Sequence, residues 1–248
     1  METKLQVTFL TIFPEMFPGP LGFSLCSKAL EKGIWSYNVV NIRDFGITKH
    51  KKVDDQPCGG GAGMVIRPDV LANALDFALD KYRANKIFYM SPKGIPLKQG
   101  LIKTITDQRL QENNIIIICG RFEGIDQRII TYYNVEEISI GDYIISGGEL
   151  AAMVLVDGLV RTLDGVASSQ ESIVNDSFSM DGNFEGLLEY PLYTKPADWR
   201  GILVPEVLLS GNHQEIENWK IKKAREVTKK CRSDLWQVYE KKFLMKNK

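Results

Sequence analysis

Residues 139–153 read Ser-Ile-Gly-Asp-Tyr-Ile-Ile-Ser-Gly-Gly-Glu-Leu-Ala-Ala-Met, where a strand is expected to pass into a helix. Glycines have access to backbone conformations that are closed to other residues, and they let a ligand approach the main chain closely. The stretch has three of them, Gly141, Gly147 and Gly148, and it offers flat apolar surface at Ile140, Ile144 and Ile145. No basic side chain lies within it to meet a phosphate. It therefore favours a nucleoside-like cofactor, with an adenine ring and a ribose, over a chain of phosphates.

Short apolar runs alternate with helical patterns on the N-terminal side of this stretch. Strands are predicted at Leu5–Ile12, Tyr37–Ile42, Lys86–Met90, Ile115–Cys119 and Glu136–Ile140. Helices are predicted at 22–32, from Pro68 onward, at 97–112, at 124–132 and at about 148–162, with a long polar loop at 44–67. Such alternation is typical of an α/β protein whose parallel sheet has helices on both faces. The four isoleucines at 115–118 predict a central parallel strand.

The composition divides the chain into three parts. Residues 1–163 carry the alternation, 164–186 are too polar to pack and are predicted to be a flexible linker or lid, and 187–248 are predicted to be mainly helical. Residues 219–248 contain eleven Lys or Arg and three acidic residues, a net charge of +8 that leaves −8 on the rest of this neutral chain. The asymmetry points to a polyanionic partner near the C-terminus, and a solvated helix face explains it equally well.

Several classes of protein are disfavoured because their motifs are absent. The sequence has no phosphate-binding loop and no Gly-x-Ser-x-Gly elbow, and Gly59–Gly63 does not stand between a strand and a helix. These absences argue against NAD dehydrogenases, nucleotide triphosphatases and the common hydrolases. Four widely separated cysteines, two histidines, no signal design and no long apolar run predict a reduced, cytoplasmic protein without a membrane partner or a metal site.

Glycine-bearing loops follow three of the predicted strands, at 89–94, 119–124 and 139–148. Ligands of open parallel sheets bind beyond the carboxyl ends of the strands. Each loop taken alone is explained by simple turn chemistry. Three such loops in succession favour a single pocket.

Seven stretches carry a resemblance to a known family. They are 12–17, 53–64, 89–92, 119–126, 139–153, 175–178 and 204–211. They stand in the order found in the bacterial tRNA (guanine-N1-)-methyltransferases, the TrmD family of the SPOUT superfamily, which the sequence resembles over nearly its whole length. The resemblance implies an α/β domain with a deep trefoil knot that binds S-adenosylmethionine, and a homodimer whose active site is built from both subunits. It also implies methyl transfer to N1 of guanosine 37 of tRNA, the nucleotide 3′ of the anticodon.

The resemblance assigns roles to individual residues. The cofactor-binding residues would be Tyr89, Met90, Ser91, Pro92, Gly120, Phe122, Glu123, Ser139, Ile140, Gly141, Asp142, Tyr143, Ile144, Ile145, Gly147 and Gly148. Glu123 would face the cofactor amine or support the lid, and its alternative is an exposed loop acid. The tRNA-binding residues would be Asp54, Lys220, Lys223 and Arg225, although Asp54 is equally well explained by solvation of its loop.

The chemistry implied by the resemblance needs a base and a cation. A carboxylate can take the proton from guanine N1, and a guanidinium can stabilise the charge that builds on O6. The family motif places the base at Asp176 and the cation at Arg161. From the sequence alone, a helix cap or a solvated loop acid suits Asp176, and a helix-end charge favoured by the dipole suits Arg161. The resemblance allows a magnesium requirement, but no dedicated ligand set is visible.

Two other functions remain open from the sequence. One is a non-catalytic RNA-binding protein that keeps a vestigial pocket. The other is a knotted methyltransferase that modifies the ribose 2′-oxygen instead of the base.

Overall fold

The computed structural model describes residues 4–106, 114–167, 176–178 and 183–245, without the side chain of Leu244. The chain forms two compact units, Met1–Ala167 and Ser168–Lys248. The division falls inside the segment 164–186 that the sequence predicts to be a linker. Much of that segment lies outside the described residues, and so does 107–113 of the helix predicted at 97–112.

The first unit alternates strands with helices. Its strands are β1 (Leu5–Thr11), β2 (Trp35–Asn41), β3 (Asp54–Asp55), β4 (Val65–Ile66), β5 (Lys86–Pro96), β6 (Asn114–Ile118) and β7 (Glu136–Ser139). Its α-helices are α1 (Ser24–Glu31), α2 (Pro68–Tyr82), α3 (Gln99–Ile105), α4 (Gln127–Tyr132) and α5 (Gly148–Arg161).

A five-stranded sheet in the order β2-β1-β6-β5-β7 forms the centre of this unit, and all of its strand pairs are parallel. The predicted α/β architecture is therefore confirmed. The middle strand is β6, whose isoleucines at 115–118 are all buried, as their continuous apolar character predicts.

Alternate residues of the strands point to opposite faces of the sheet and into two apolar cores. Ile115 and Ile117 pack with α1, α3 and α5 on one face, whereas Ile116 and Ile118 pack with α2 and α4 on the other. Helices therefore cover both faces, as predicted. Because every strand of this sheet runs in the same direction, the loops after β5, β6 and β7 emerge at the same edge.

Three local features differ from the sequence prediction. β5 continues to Pro96 because its pairing with β7 shifts register between Met90 and Ile95. Gly94 permits this close passage, since a Cβ there would lie 2.3 Å from the amide nitrogen of Ile138. The predicted loop 44–67 contains the antiparallel pair of β3 and β4. α4 begins at Gln127, later than predicted, because Asp126 caps it by accepting a hydrogen bond from the amide of Arg128 at 2.8 Å.

The second unit has a small core of its own. Its elements are β8 (Asp198–Trp199), β9 (Ile202–Leu203), α6 (His213–Cys231) and α7 (Ser233–Tyr239). Phe184, Leu187, Ala224 and Tyr239 are buried together. The predicted helical character is found from His213 onward, whereas 188–212 is largely irregular. Within the described residues of both units, no helix is long and apolar enough to span a lipid bilayer.

Candidate functional site

A cavity of about 230 Å³ lies at the carboxyl edge of the sheet, between residues 89–92 of β5, the loops that follow β6 and β7, and the start of α5. All the residues that the sequence singles out for the cofactor line this cavity, with the exception of Asp142, which is exposed outside it. Arg121, Gly124, Ile138, Ser146 and Ala151 also line it. The structure thus brings the three glycine loops together around one space.

Two glycines of the 139–148 turn are required by protein packing. A Cβ on Gly148 would lie 2.9 Å from the Cα of Cys119 and from the amide nitrogen of Gly120. A Cβ on Gly147 would lie 2.2 Å from the Nε atom of Arg121. Sequence reasoning attributes both glycines to the approach of a ligand. In the structure, the neighbouring turn after β6 already fills the space beside them.

An ion pair lies directly behind this turn. Arg121 Nε donates to Glu149 Oε2 at 2.9 Å, and Glu149 is fully buried at the start of α5. Sequence reasoning assigns neither residue a role. A signal was available, because Glu149 falls on the buried side of an apolar helix and carboxylates are rarely buried without a partner.

The Tyr89 ring occupies the inner end of the cavity. A Cβ on Gly120 would lie 2.7 Å from this ring, so the glycine is needed for the ring to fit. Burial, and after it the negative charge of Glu137, raises the pKa of Tyr89 to about 12. The hydroxyl therefore stays protonated at neutral pH and is able to donate a hydrogen bond. Glu137 pairs in register with Tyr89, and its buried Oε1 atom has no hydrogen-bond partner among the described residues.

Glu123 joins the cavity to the glycine-rich hairpin at 54–66. Its amide donates to the carbonyl of Met64 at 2.9 Å, and a Cβ on Gly63 would lie 2.5 Å from its side chain. Asp54 lies half-buried on β3 of the same hairpin, in register with Ile66. The loop that carries the predicted tRNA contact is thus attached by its backbone to the cavity wall.

The open side of the cavity carries exposed apolar groups. Tyr143 and Ile144 line it and are 55% and 81% exposed. The Tyr143 ring lies over Gly141, where a Cβ would be 2.6 Å from the ring. The Tyr143 hydroxyl donates to the carbonyl of Ile140 at 3.3 Å. The aromatic ring therefore takes up part of the space at the mouth.

The two residues expected to be catalytic belong to different units. Arg161 is the last residue of α5 in the first unit and is exposed. Asp176 is half-buried in the second unit. Its neighbours are held in place, because Ser177 Oγ accepts from the amide of Glu189 at 2.9 Å and the amide of Phe178 donates to Leu187 at 3.1 Å.

Helix α6 carries the predicted basic surface. Lys222, Arg225 and Lys229 are exposed, whereas Ala224 and Thr228 face the core. All three of the predicted tRNA contacts on this helix, Lys220, Lys223 and Arg225, already have partners within the unit. Lys220 lies over the ring of Tyr190, and Lys223 pairs with Glu226 at 2.6 Å.

The groove between α6 and α7 is part of the same basic surface. It is lined by Asn218, Ile221, Lys222, Arg225, Glu226, Lys229 and Trp236. Arg225 Nε donates to the Tyr239 hydroxyl at 3.0 Å, and Lys229 lies over the Trp236 ring.

Within the described residues, no group of three or more His, Cys, Asp or Glu side chains could hold a metal ion.

The fold and the cavity together define an α/β protein with a small-ligand site at the carboxyl edge of a parallel sheet. A family model described as tRNA (Guanine-1)-methyltransferase TrmD matches residues 5–238. The chain therefore belongs to the TrmD family, and the resemblance carried by the seven sequence stretches is confirmed.

Similar proteins agree with this assignment. A protein of Rickettsia prowazekii (strain Madrid E) is 52% identical over 231 residues, which is 93% of this chain and 97% of the relative. A protein of Rickettsia akari (strain Hartford) is 53% identical over the same shares of the two chains. One of Ehrlichia canis (strain Jake) is 51% identical, over 93% of this chain and 95% of the relative. Each is named tRNA (guanine-N(1)-)-methyltransferase.

Proposed function

We propose that this protein transfers a methyl group from S-adenosylmethionine to N1 of guanosine 37 in tRNA, giving 1-methylguanosine. The proposal rests on one observation above all, the cavity at the sheet edge that residues 89–92 of β5 and the turns after β6 and β7 enclose together. Membership of a family named for methylation of guanine in tRNA supports the reaction and the substrate.

The residues of the cavity suit S-adenosylmethionine. Ile138, Ile140 and Ile145 provide apolar surface for an adenine ring, beside the backbone groups of the 139–148 turn. Glu123 provides a negative charge for a cofactor that carries an ammonium and a sulfonium. Rotation of the exposed Tyr143 ring away from Gly141 would enlarge the space for the ribose and the methionine chain. Bound there, S-adenosylmethionine supplies an electrophilic methyl group on sulfur.

The protein supplies the proton transfer at guanine. N1 of guanine is a poor nucleophile while it carries its proton, so a carboxylate must take that proton as the nitrogen attacks. In our proposal Asp176 is this base, and Arg161 stabilises the negative charge that develops on O6. The magnesium requirement that the family resemblance allows stays a prediction, and within the described residues no group of three or more His, Cys, Asp or Glu side chains could hold the ion.

The active form in this proposal is a homodimer with sites shared by both subunits. Leu150 and Val154 lie one turn apart on α5 and are 54% and 51% exposed, as a surface covered by a second copy would be.

The proposed fold also includes the trefoil knot. The sheet order supports it, because β5 lies between β6 and β7 and the chain then returns to the turn after β6, where Gly148 bonds to Gly120.

Substitution of Asp176 by Asn tests the proposal. We expect turnover of a tRNA transcript to fall by roughly 10²–10⁴ while the affinity for S-adenosylmethionine is unchanged, because the amide cannot accept the proton. Asp80→Asn, an exposed acid on α2, is the matched control and should behave as wild type. Wild-type turnover of Asp176→Asn would refute the role of the base.

Three further measurements separate the alternative functions. If a calorimetric titration with S-adenosylmethionine shows no heat of binding, the result favours a non-catalytic RNA-binding protein. Nuclease digestion and mass spectrometry would show whether the methyl group is on the base or on the ribose. A transcript with adenosine at position 37 should not be methylated, and its methylation would contradict the proposed position.

A further inference from the structure

The ion pair between Arg121 and Glu149 is part of a larger arrangement that the proposed chemistry does not use. Glu149 Oε1 accepts a hydrogen bond from the Thr11 hydroxyl at 2.7 Å, and Thr11 Oγ1 accepts one from the amide of Phe13 at 2.9 Å. Both carboxylate oxygens of this buried acid therefore have partners, one at the end of β1 and one in the turn after β6. Glu149 thus connects three segments that are distant in the sequence.

The segment 12–17, Ile-Phe-Pro-Glu-Met-Phe, forms the other side of the arrangement. The guanidinium carbon of Arg121 lies 4.5 Å from the centre of the Phe13 ring, a cation–π distance. A terminal nitrogen of Arg121 lies 3.3 Å from the sulfur of Met16. This stretch carries part of the family resemblance but lines no part of the cavity, and its contacts with Arg121 give it a role.

Arg121 also reaches the neighbouring 146–148 turn, which lines the cavity as well. Its terminal N–H donates to the carbonyl of Ser146 at 3.2 Å, and its side chain fills the space beside Gly147. The side chain of Arg121 is only 19% exposed, and that of Glu149 is 1% exposed. A planar guanidinium that donates in several fixed directions can hold two turns at a set spacing, as an ammonium cannot.

We propose that Arg121 is a positioning residue for the methyl donor. With Glu149 and the Phe13 ring it fixes the 146–148 turn relative to the 120–124 turn, and so sets the width of the cofactor cavity. This inference rests on the proposed function, because it takes the occupant of the cavity to be S-adenosylmethionine.

A buried ion pair contributes little net stability compared with an apolar pair of similar volume, whereas removal of one partner alone is strongly destabilising. A variant that lacks both charges can therefore alter the position of the 146–148 turn without a large loss in the free energy of unfolding. Arg121→Met combined with Glu149→Leu removes both charges together and should leave the melting temperature close to that of wild type. The double variant keeps the hydrogen bond between Gly148 and Gly120 but loses the one from Arg121 to the Ser146 carbonyl. Residues 146 and 147 should therefore shift and change the width of the cavity.

The test measures affinity for S-adenosylmethionine by calorimetry, together with the melting temperature and the kcat and KM for tRNA. We expect the double variant to bind the donor at least tenfold more weakly, with the KM for tRNA unchanged at saturating donor. Arg121→Lys keeps the charge and should also lose affinity. Lys51→Met combined with Asp44→Leu removes an exposed pair outside the basic C-terminal segment and is the matched control.

Phe13→Leu provides a second variant that leaves the ion pair intact. It should weaken donor binding several-fold with little change in melting temperature. The inference is wrong if three variants bind the donor as tightly as the wild-type protein does: Arg121→Lys, Phe13→Leu and the folded double variant. If the wild-type protein itself does not bind the donor, the proposed function is contradicted instead.

Discussion

The amide of Gly148 donates a hydrogen bond to the carbonyl oxygen of Gly120 at 2.8 Å, which joins the first residue of α5 to the turn after β6. These glycines are 28 positions apart in the chain, yet they form adjacent parts of one cavity wall. The contact is possible because Gly148 has no side chain to separate the two backbones.

Gly148→Ala should disrupt this contact. The new Cβ would lie 2.9 Å from backbone atoms of Cys119 and Gly120, which cannot rotate away. We expect a loss of about 1–3 kcal/mol in the free energy of unfolding, as for other overpacked sites, together with weaker donor binding. Urea unfolding measures the first effect and calorimetry the second.

Gly158→Ala is the control for this substitution, since it lies on the same helix. Its Cβ would meet only the end of the Ile102 side chain, which can move, and alanine favours the helix by about 1 kcal/mol. This variant should be no less stable than wild type. Equal stability of the Gly148→Ala and wild-type proteins would contradict the tight contact.

The basic face of α6 should contact phosphates of tRNA. Lys222→Gln and Lys229→Gln each remove one positive charge from an exposed site. Each should weaken tRNA binding and reduce the slope of log K against log salt by about 1, because fewer counterions are released. Filter binding at several salt concentrations gives the slope. Lys81→Gln on α2 should leave it unchanged, and an unaltered slope in both α6 variants would exclude this face from the interface.

The four thiols should differ sharply in reactivity. Cys58 and Cys231 are exposed, whereas Cys26 and Cys119 are buried. Burial raises the pKa of the Cys119 thiol well above its ordinary value, so the reactive thiolate is scarce at neutral pH. We expect a maleimide to label Cys58 and Cys231 in the native protein and all four cysteines in urea. Peptide mass spectrometry locates the labels, and rapid native labelling of Cys119 would be inconsistent with its burial.

Alkaline pH should destabilise the fold partly through Cys26. Burial, followed by the hydrogen bond that the thiol donates to Asp157, raises the pKa of Cys26 from 9.0 to about 12. The unfolded state loses this proton first, so the stabilisation is complete below about pH 9 and is lost as the pH rises towards 12. Cys26→Ser keeps a donor that does not titrate in this range, and its stability should fall less steeply between pH 8 and pH 10. If the free energies of unfolding of the two proteins, measured with urea, fall equally over that range, Cys26 makes no contribution to the loss of stability at alkaline pH.

The exposed apolar face of α5 should be covered in the proposed homodimer. Leu150→Lys places a charge there, and we expect it to shift the protein to a monomer with greatly reduced methylation. Light scattering after size exclusion gives the mass. Val238→Lys replaces a 65% exposed valine of α7 and serves as the control. A Leu150→Lys protein that stays dimeric would remove this face from the interface.

The order of elements could be read from the sequence because its signals are local. The isoleucines at 115–118 predict a buried central strand, and the apolar pattern after Gly148 predicts α5. The cap at Asp126 was missed although it is a local signal, since its carboxylate accepts from an amide only two residues along the chain. The continuation of β5 was missed because a register shift depends on how β5 and β7 pair. The glycine loops pointed to the cavity because parallel strands bring their carboxyl ends to one edge.

By itself, then, the sequence determined the alternation of strands and helices, the family, and the turns that line the cavity. Only the tertiary structure decided that Thr11, Arg121 and Glu149 meet, and that Gly147 and Gly148 accommodate the protein's own Arg121 and Cys119. Hydrophobic period and turn chemistry act over a few residues and leave a pattern in the chain. A hydrogen bond between residues 138 positions apart leaves none, because it exists only after the sheet has brought the two segments together.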